Sequence, residues 1–302
     1  MKKDIKVAAI IVTYNGINWI EKCLTSLKKS LAPLQTIVID NGSTDGTQKI
    51  IANFPEVTFI QSDINLGFGR ANNKGIEIAL AKNAKYIFLL NQDAWIEPNT
   101  ISVLLQIAED NRDYGVISPV HLNGTYSGLD LNFSKQLVPE NCSSFYSDLY
   151  VKKLKILYEI TFVNAAAWLI SKRCFETVGF FEPLFFLYGE DNNFLQRVTY
   201  HKLKIGVTPY CTICHDREMR QGSFSETGIK IWERTYSLIG LLNILNSYSK
   251  SILSFLKEKF IFIIKCVYQK KFTSLKYPIK EIFFFIKNIR RLYKIRKRYK
   301  FR

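Results

Sequence analysis

The chain reads as an α/β protein with a mostly parallel central sheet, followed by a set of helices. Three observations predict this. Short apolar runs alternate with helix-like segments through the first hundred residues, the pattern of βαβ units. Several of those runs end abruptly in polar loops, as strands do where an open sheet presents its carboxyl edge to a ligand. Beyond about Ile231 the pattern is helical only, and the positive charge gathers there.

The elements follow in order. Residues 6–12 form a first strand ending in Thr13-Tyr14-Asn15, and an amphipathic helix is expected over 19–29. A second strand over 35–39 runs into Asp40-Asn41-Gly42-Ser43-Thr44-Asp45-Gly46. A helix over 47–53, a strand over 57–61 and a helix over 71–82 come next. Residues 86–90 are apolar or aromatic throughout, so they read as a strand buried on both faces, and Asn91-Gln92-Asp93 ends it. From 118 to 155 the pattern weakens into Gly, Asn, Ser and Tyr, which predicts an irregular excursion or hairpin. Order returns over 164–174, and after a Gly, Phe and Pro-rich loop Glu190-Asp191 opens a helix through Tyr200.

The formal net charge of +16 is local. Residues 249–302 hold 17 Lys and Arg against Glu258 and Glu281, a net of +15 that leaves +1 for residues 1–248. Six cysteines lie scattered without a framework pattern, which fits a reducing cytoplasm. Residues 7–12 are too short a run for the core of a signal peptide, and no uncharged apolar stretch reaches the roughly 18–20 residues that span a bilayer. A cytoplasmic location follows as the expectation.

Four loops offer chemistry. A buried strand ending in Asp40 can present a carboxylate to the N–H edge of a pyrimidine, or it can simply cap a turn. Asn65-Leu66-Gly67-Phe68-Gly69-Arg70 enters a helix, where glycines let backbone approach a ligand and the helix N-terminus favours phosphate. Arg70 adds a fixed positive charge. Asp93 can hold a divalent cation against a nucleotide diphosphate, while the same Asn-Gln-Asp run is also an ordinary turn. Cys211-Thr212-Ile213-Cys214-His215 matches the c-type haem pattern, but haem attachment requires export and zinc would require further ligands. His121 and His201 read as surface or packing residues.

These loops, in this order and spacing, resemble the nucleotide-sugar half of family 2 glycosyltransferases of the GT-A fold. The closest resemblance is to the rhamnosyltransferase-like branch of bacterial surface polysaccharide biosynthesis, such as O-antigen or capsule. Asn164-Ala165-Ala166-Ala167-Trp168, Val178-Gly179-Phe180-Phe181-Glu182-Pro183 and Gly189-Glu190-Asp191-Asn192-Asn193 resemble later segments of that branch, so the likeness covers about residues 5–235. It implies that Thr13, Tyr14, Asn15, Asp40, Asn65, Gly67, Arg70, Asn91, Gln92 and Asp93 hold the nucleotide sugar. It implies Asp191 as general base with Glu190 beside it, and Ala166, Trp168 and Arg197 on the acceptor side. Asp93 and His215 would bind a divalent cation, Mg²⁺ or Mn²⁺. The family's two-carboxylate metal motif is Asn91-Gln92-Asp93 here, one charge fewer, and the second Asp of its Glu-Asp-x-Asp run is Asn193.

The expected activity is inverting transfer of a sugar, first of all rhamnose from dTDP-rhamnose, to a glycan or lipid-linked acceptor. A UDP-hexose or UDP-N-acetylhexosamine transferase of the same fold is the alternative, and a non-catalytic nucleotide- or glycan-binding relative is the reading from another class. Breaking a bond to a diphosphate calls for a cation, and an attacking hydroxyl calls for a carboxylate base. The expected division is a catalytic domain over 1–235 and a basic, hydrophobic helical tail over 236–302. In the tail, Ile282, Phe285, Ile286, Ile289, Leu292 and Tyr293 share one helical face, with Lys287, Arg291, Lys294 and Arg298 opposite. Residues 253–268 are apolar with interspersed Lys. Such helices suit an anionic membrane surface at the inner face of the cell membrane, better than nucleic acid, which needs less aliphatic surface. Packing on the catalytic domain or on a second subunit is the third possibility.

Overall fold

A computed structural model describes residues 6–217 and 226–302. The expected strands and helices of the first hundred residues form: β1 (Val7–Thr13), α1 (Ile20–Lys28), β2 (Leu34–Asp40), α2 (Thr47–Ile51), β3 (Thr58–Gln61), α3 (Phe68–Ala81) and β4 (Tyr86–Asn91). Helix α3 starts three residues earlier than its apolar spacing suggests, so Arg70 lies in its first turn. Then come β5 (Ala94–Ile96), α4 (Thr100–Asp110), β6 (Tyr114–Asn123), α5 (Leu131–Ser134), α6 (Phe145–Tyr150) and β7 (Tyr158–Glu159). The stretch expected to be irregular is therefore a long strand followed by short helical turns. The chain closes with β8 (Ala167–Ser171), α7 (Lys172–Val178), α8 (Glu190–Tyr200), β9 (Lys204–His215), α9 (Glu226–Leu241), α10 (Tyr248–Tyr268) and α11 (Lys276–Lys300).

One sheet runs β3-β2-β1-β4-β8-β6-β9-β5, with β7 on β9. It is parallel from β3 to β4 and mixed beyond, because β8 enters antiparallel between β4 and β6. Alternate residues of each strand face opposite layers. Ala8 and Ile10 pack with Ile76 and Ala79 of α3, whereas Val7, Ala9 and Ile11 pack with Leu24 and Leu27 of α1. Burial on both faces explains why these strands are apolar without alternation.

Register brings the polar strand ends together. Thr13 pairs with Asp40, Val12 with Asn91, and Leu90 with Ala167. His215 ends β9 beside Ala94 and Asn123.

The C-terminal helices build a third core from Phe185, Leu238, Leu242, Phe255, Phe285, Leu292, Ile295 and Tyr299. This corrects the expected apolar face of α11. Phe285 and Leu292 turn inward, while Ile286, Ile289 and Tyr293 are exposed. The inward stripe continues through Arg296, whose guanidinium donates to the carbonyls of Leu241 at the end of α9 and of Asn243 and Asn246 beyond it. The end of α11 also reaches the loop before α8. Arg298 Nη2 and Tyr299 OH donate to Glu182 Oε2 at 2.6 and 3.0 Å, and Glu182 is buried.

Candidate active site

A cavity of about 710 Å³ opens at the polar edge of the sheet. Its walls come from the ends of β1 and β4, the head of α3, the approach to β8, the segment after α5, and the head of α8. Tyr14, Asn65, Gly67, Asn91, Gln92, Ala166, Glu190 and Asp191 all line it.

The β1–β4 rim is tied internally. Gln92 Oε1 accepts from Thr13 Oγ1 at 2.6 Å and from the Tyr14 amide at 2.9 Å, and its Nε2 donates to the Tyr14 carbonyl at 3.2 Å. Thr13 is thus a buried brace under the cavity wall. Asn15 is a second brace: its amide donates to Ser43 Oγ and its Oδ1 accepts from the Thr44 amide, both at 2.9 Å. Asp40, fully buried, accepts from the Ser43 amide and hydroxyl and from Gln48 Nε2 at 2.8 Å. Its carboxylate is committed to this loop and does not line the cavity. Asn41, next to it, does line it and holds the Asn65–Gly67 turn through the Leu66 amide and the Gly67 carbonyl. Gly67 has φ +81°, and a Cβ there would stand 2.1 Å from the Phe186 carbonyl oxygen. Only glycine lets α3 approach the loop before α8 this closely.

Three residues expected at the site lie elsewhere. Arg70 is exposed and its Nε donates to the Pro183 carbonyl at 2.9 Å. Trp168 is fully buried among Phe181 and Phe194. Arg197, also fully buried, donates to the Val178 carbonyl and stacks 4.1 Å from the centre of the Tyr299 ring. None of the three lines the cavity; Arg70 ties α3 to the loop before α8, Arg197 ties α8 to the end of α7 and to α11, and Trp168 supports the aromatic core beneath.

At the head of α8, burial and the neighbouring Asp191 push the Glu190 carboxyl up to about 8, and Glu190 Oε2 has no hydrogen-bond partner among the described residues. Burial also raises Asp191, against the Asn192 amide that donates to it at 2.7 Å. Two adjacent carboxyls in low dielectric favour one shared charge. Of the two, Glu190 is the more deeply buried, and both face the cavity.

Behind the Asn91 wall lies a buried polar cluster. His215 Nε2 stands 3.4 Å from Asp93 Oδ1 and 3.4 Å from Asn91 Nδ2. Its Nδ1 accepts from Arg217 Nε at 3.1 Å, and Arg217 Nε also pairs with Asp130 Oδ2 at 3.1 Å. Among the described residues no group of three His, Cys, Asp or Glu side chains could hold a metal ion unaided. One carboxylate and one imidazole beside an open cavity nonetheless suit a divalent cation that takes its remaining ligands from phosphate oxygens and water.

Sequence reasoning missed several wall residues. Asn132, Lys135 and Gln136 come from the stretch expected to be irregular, and Arg217 follows β9. Asn164 lines the cavity with both amide atoms buried and without a hydrogen-bond partner among the described residues. Asp130, which caps α5 by accepting from the Phe133 amide at 2.7 Å, has no sequence signature at all. The haem pattern resolves differently: Cys211 and Cys214 are free, buried thiols within β9, and burial raises both. His121 is buried and stacks on Phe133, and His201 meets the Tyr299 carbonyl, so both are packing residues.

Comparison with known proteins adds the family context. The model of the family described as "Glycosyl transferase family 2" matches residues 8–179. The low-salt glycan biosynthesis hexosyltransferase Agl10 of Haloferax volcanii is 24% identical over 225 residues, covering 73% of this chain and 70% of that protein. N-acetylglucosaminyl-diphospho-decaprenol L-rhamnosyltransferase of Mycobacterium tuberculosis is 31% identical over 121 residues, 37% of this chain and 39% of that protein. The match thus spans well under half of the mycobacterial relative. Among solved structures, S. aureus TarS 1–349 in complex with UDP superimposes with a TM-score of 0.56 at 17% identity, covering 82% of this chain and 68% of that one. That likeness is one of fold.

Proposed function

The chain belongs to glycosyl transferase family 2 and is a glycosyltransferase of GT-A fold, and we propose that it transfers its sugar with inversion from a nucleotide diphosphate to a glycan or lipid-linked acceptor. One observation carries this reading. The amide-rich rim of β1, α3 and β4 faces the carboxyl pair of α8 across a single cavity large enough for a nucleotide sugar. The rim suits binding, and the ionised member of the pair suits removal of a proton from an attacking hydroxyl.

In this reading Tyr14, Asn41, Asn65, Gly67 and Gln92 contact the nucleotide, and Asp40 and Asn15 hold their loop in shape. Asp93 and His215 would hold a divalent cation, which when bound neutralises the charge that grows on the leaving diphosphate. Asp191 accepts the proton of the acceptor hydroxyl. Protonated Glu190 donates a hydrogen bond to a sugar oxygen, which a carboxylate could not do. Asn164 has free donors and acceptors for the acceptor's hydroxyls.

Rhamnose from dTDP-rhamnose is the first donor we propose, supported by the mycobacterial rhamnosyltransferase. A UDP-linked hexose is the second, supported by the haloarchaeal hexosyltransferase and the UDP complex of TarS. Nucleotide release from a panel of both donor classes, with Mg²⁺ or Mn²⁺ against chelator, tests the whole reading. Donor-dependent release that chelator abolishes is expected; release from none of them would leave only a binding protein.

No helix among the described residues is long and apolar enough to cross a membrane. We propose that α10 and α11 lie instead on an anionic surface. Phe260, Ile261, Ile264, Phe272 and Phe283 are exposed, and Lys265, Lys270, Lys271 and Lys280 are exposed among them. Because these helices also pack on the catalytic part, the surface variant Phe260→Ser with Phe283→Ser is the test, by co-sedimentation with vesicles containing phosphatidylglycerol. Undiminished sedimentation of the variant would sink the idea.

A further inference from the structure

Helix α6 is turned inside out for a helix in water. Tyr146, Leu149 and Tyr150 fall at i, i+3 and i+4, so they share one face, and that face is exposed, Tyr150 by 89%. Phe145 and Asp148 go inward instead. Phe145 is buried with its ring 5.0 Å from that of Tyr158, and Asp148 accepts from Ser144 Oγ at 3.0 Å and Tyr158 OH at 3.1 Å. A surface helix ordinarily buries its apolar stripe and shows its charge. Here the acid is used internally and the apolar residues meet solvent. The chain continues in the same way, with Val151 and Ile156 exposed and Lys152, Lys153 and Lys155 exposed among them. Single exposed apolar side chains need no explanation, but five within residues 146–156 form a patch that marks a contact.

We propose that α6 and the turn after it, through Ile156, form a second membrane contact, carried by the catalytic part of the chain. The proposal rests on the reading that α10 and α11 lie on an anionic surface, and it adds a separate point of attachment. Residue types decide for lipid over protein. Lys is depleted at protein interfaces, whereas at a bilayer its stem lies along the acyl boundary and its ammonium reaches the headgroups. Tyr belongs at that boundary for the same reason. Asp148 is the one acid over 144–158 and pairs with Lys155 at 3.6 Å, which leaves Lys152 and Lys153 to complement anionic headgroups. The patch is also braced to the cavity. Tyr146 OH donates to the Ser134 carbonyl at 2.8 Å, Lys135 and Gln136 follow in the cavity wall, and Gln136 Oε1 accepts from the Asn164 amide at 3.0 Å. Contact with lipid at α6 therefore holds the wall assigned to the acceptor beside the membrane. Because both contacts belong to one body, each raises the effective concentration of the other.

Two double variants of the full chain test the contact while leaving Phe260 and Phe283 in place. Leu149→Ser with Tyr150→Ser is expected to weaken co-sedimentation with phosphatidylglycerol vesicles about tenfold. Lys152→Glu with Lys153→Glu is expected to weaken it about a hundredfold. Melting temperature and UDP affinity stay at the wild-type level in both, because all four side chains are exposed and none lines the cavity. Tyr150→Trp places a reporter in the patch. Its added fluorescence is expected to shift to the blue on vesicles and to be quenched when the phosphatidylglycerol is brominated. Undiminished sedimentation of both double variants, or a reporter that brominated lipid leaves unquenched, overturns the α6 contact and leaves the contact through α10 and α11 standing. A wild type that does not sediment at all overturns both. Self-association of the wild type that Leu149→Ser with Tyr150→Ser abolishes, read by sedimentation velocity, makes the patch an interface between copies of the chain and overturns the proposal as well.

Discussion

At the sheet edge, polar side chains are tied to one another: Thr13 and Tyr14 to Gln92, Asn15 to Ser43 and Thr44, Asp40 to Ser43 and Gln48. Across the same cavity, at the head of α8, Glu190 is buried and Asp191 beside it half-buried, and loss of solvent raises both. The edge is satisfied and rigid, so it can recognise a ligand without first reorganising. The α8 head is under-solvated, and a group in that state gains most when a substrate supplies charge or a proton. Binding and reaction thus draw on opposite treatments of polarity. Variants should separate accordingly, those at α8 changing kcat and those at the edge changing donor affinity and stability.

The largest effect is expected from Asp191→Asn. Removing the base lowers kcat about 10²–10⁴-fold, while the melting temperature and UDP affinity stay near wild type. Transfer that survives this change would erase the contrast. Next comes Gln92→Ala, which strands the Tyr14 amide and the Thr13 hydroxyl. It should cost about 1–3 kcal/mol in urea unfolding and raise KM for the donor, with kcat little changed. A variant that loses kcat and keeps KM would place chemistry at the edge.

Glu190→Gln sharpens the comparison most gently. The folded carboxyl titrates at about 8, above its ordinary 4.5, so between those values the unfolded chain holds fewer protons than the folded one. Stability therefore falls as pH rises through that window, by about 1.4 kcal/mol per pH unit at most. Thermal melts of the wild type should decline from pH 5 to pH 8, and Glu190→Gln should flatten the decline. Parallel curves would mean that Glu190 is ionised well below neutrality.

The parallel half of the fold was legible because its signals are local. An apolar run of five ending at Asn91 is buried on both faces, and the loops at Thr13 and Asp40 follow equally clear strands. Candidates at those strand ends therefore landed at or beside the cavity. Legibility failed where side-chain direction depends on distant partners. Arg197 sits on the expected helix α8, yet its guanidinium turns to Val178 and Tyr299. Trp168 sits on the expected strand, yet faces the aromatic core. Asn132, Lys135 and Gln136 reach the cavity from a stretch with no periodicity to read.

The C-terminal helices show the same limit. Their existence and charge were plain, but their buried stripe runs through Phe285 and Leu292, which pack with Leu238, Leu242 and Phe255, and on through Arg296 and Tyr299, whose hydrogen bonds the carbonyls at and after the end of α9 and the Glu182 carboxylate accept.

By itself the sequence determined the strand–helix alternation, the strand ends that carry polar groups, the family likeness and the location of the excess charge. All of these follow from neighbours in the chain, through periodicity and turn chemistry. Only the tertiary structure decided which of those groups share a cavity, how deeply each carboxyl is buried, and that Arg217 rather than Asp130 holds His215. Burial and hydrogen-bond partnership arise between residues far apart in sequence, and they set charge and proton position where no local pattern records them.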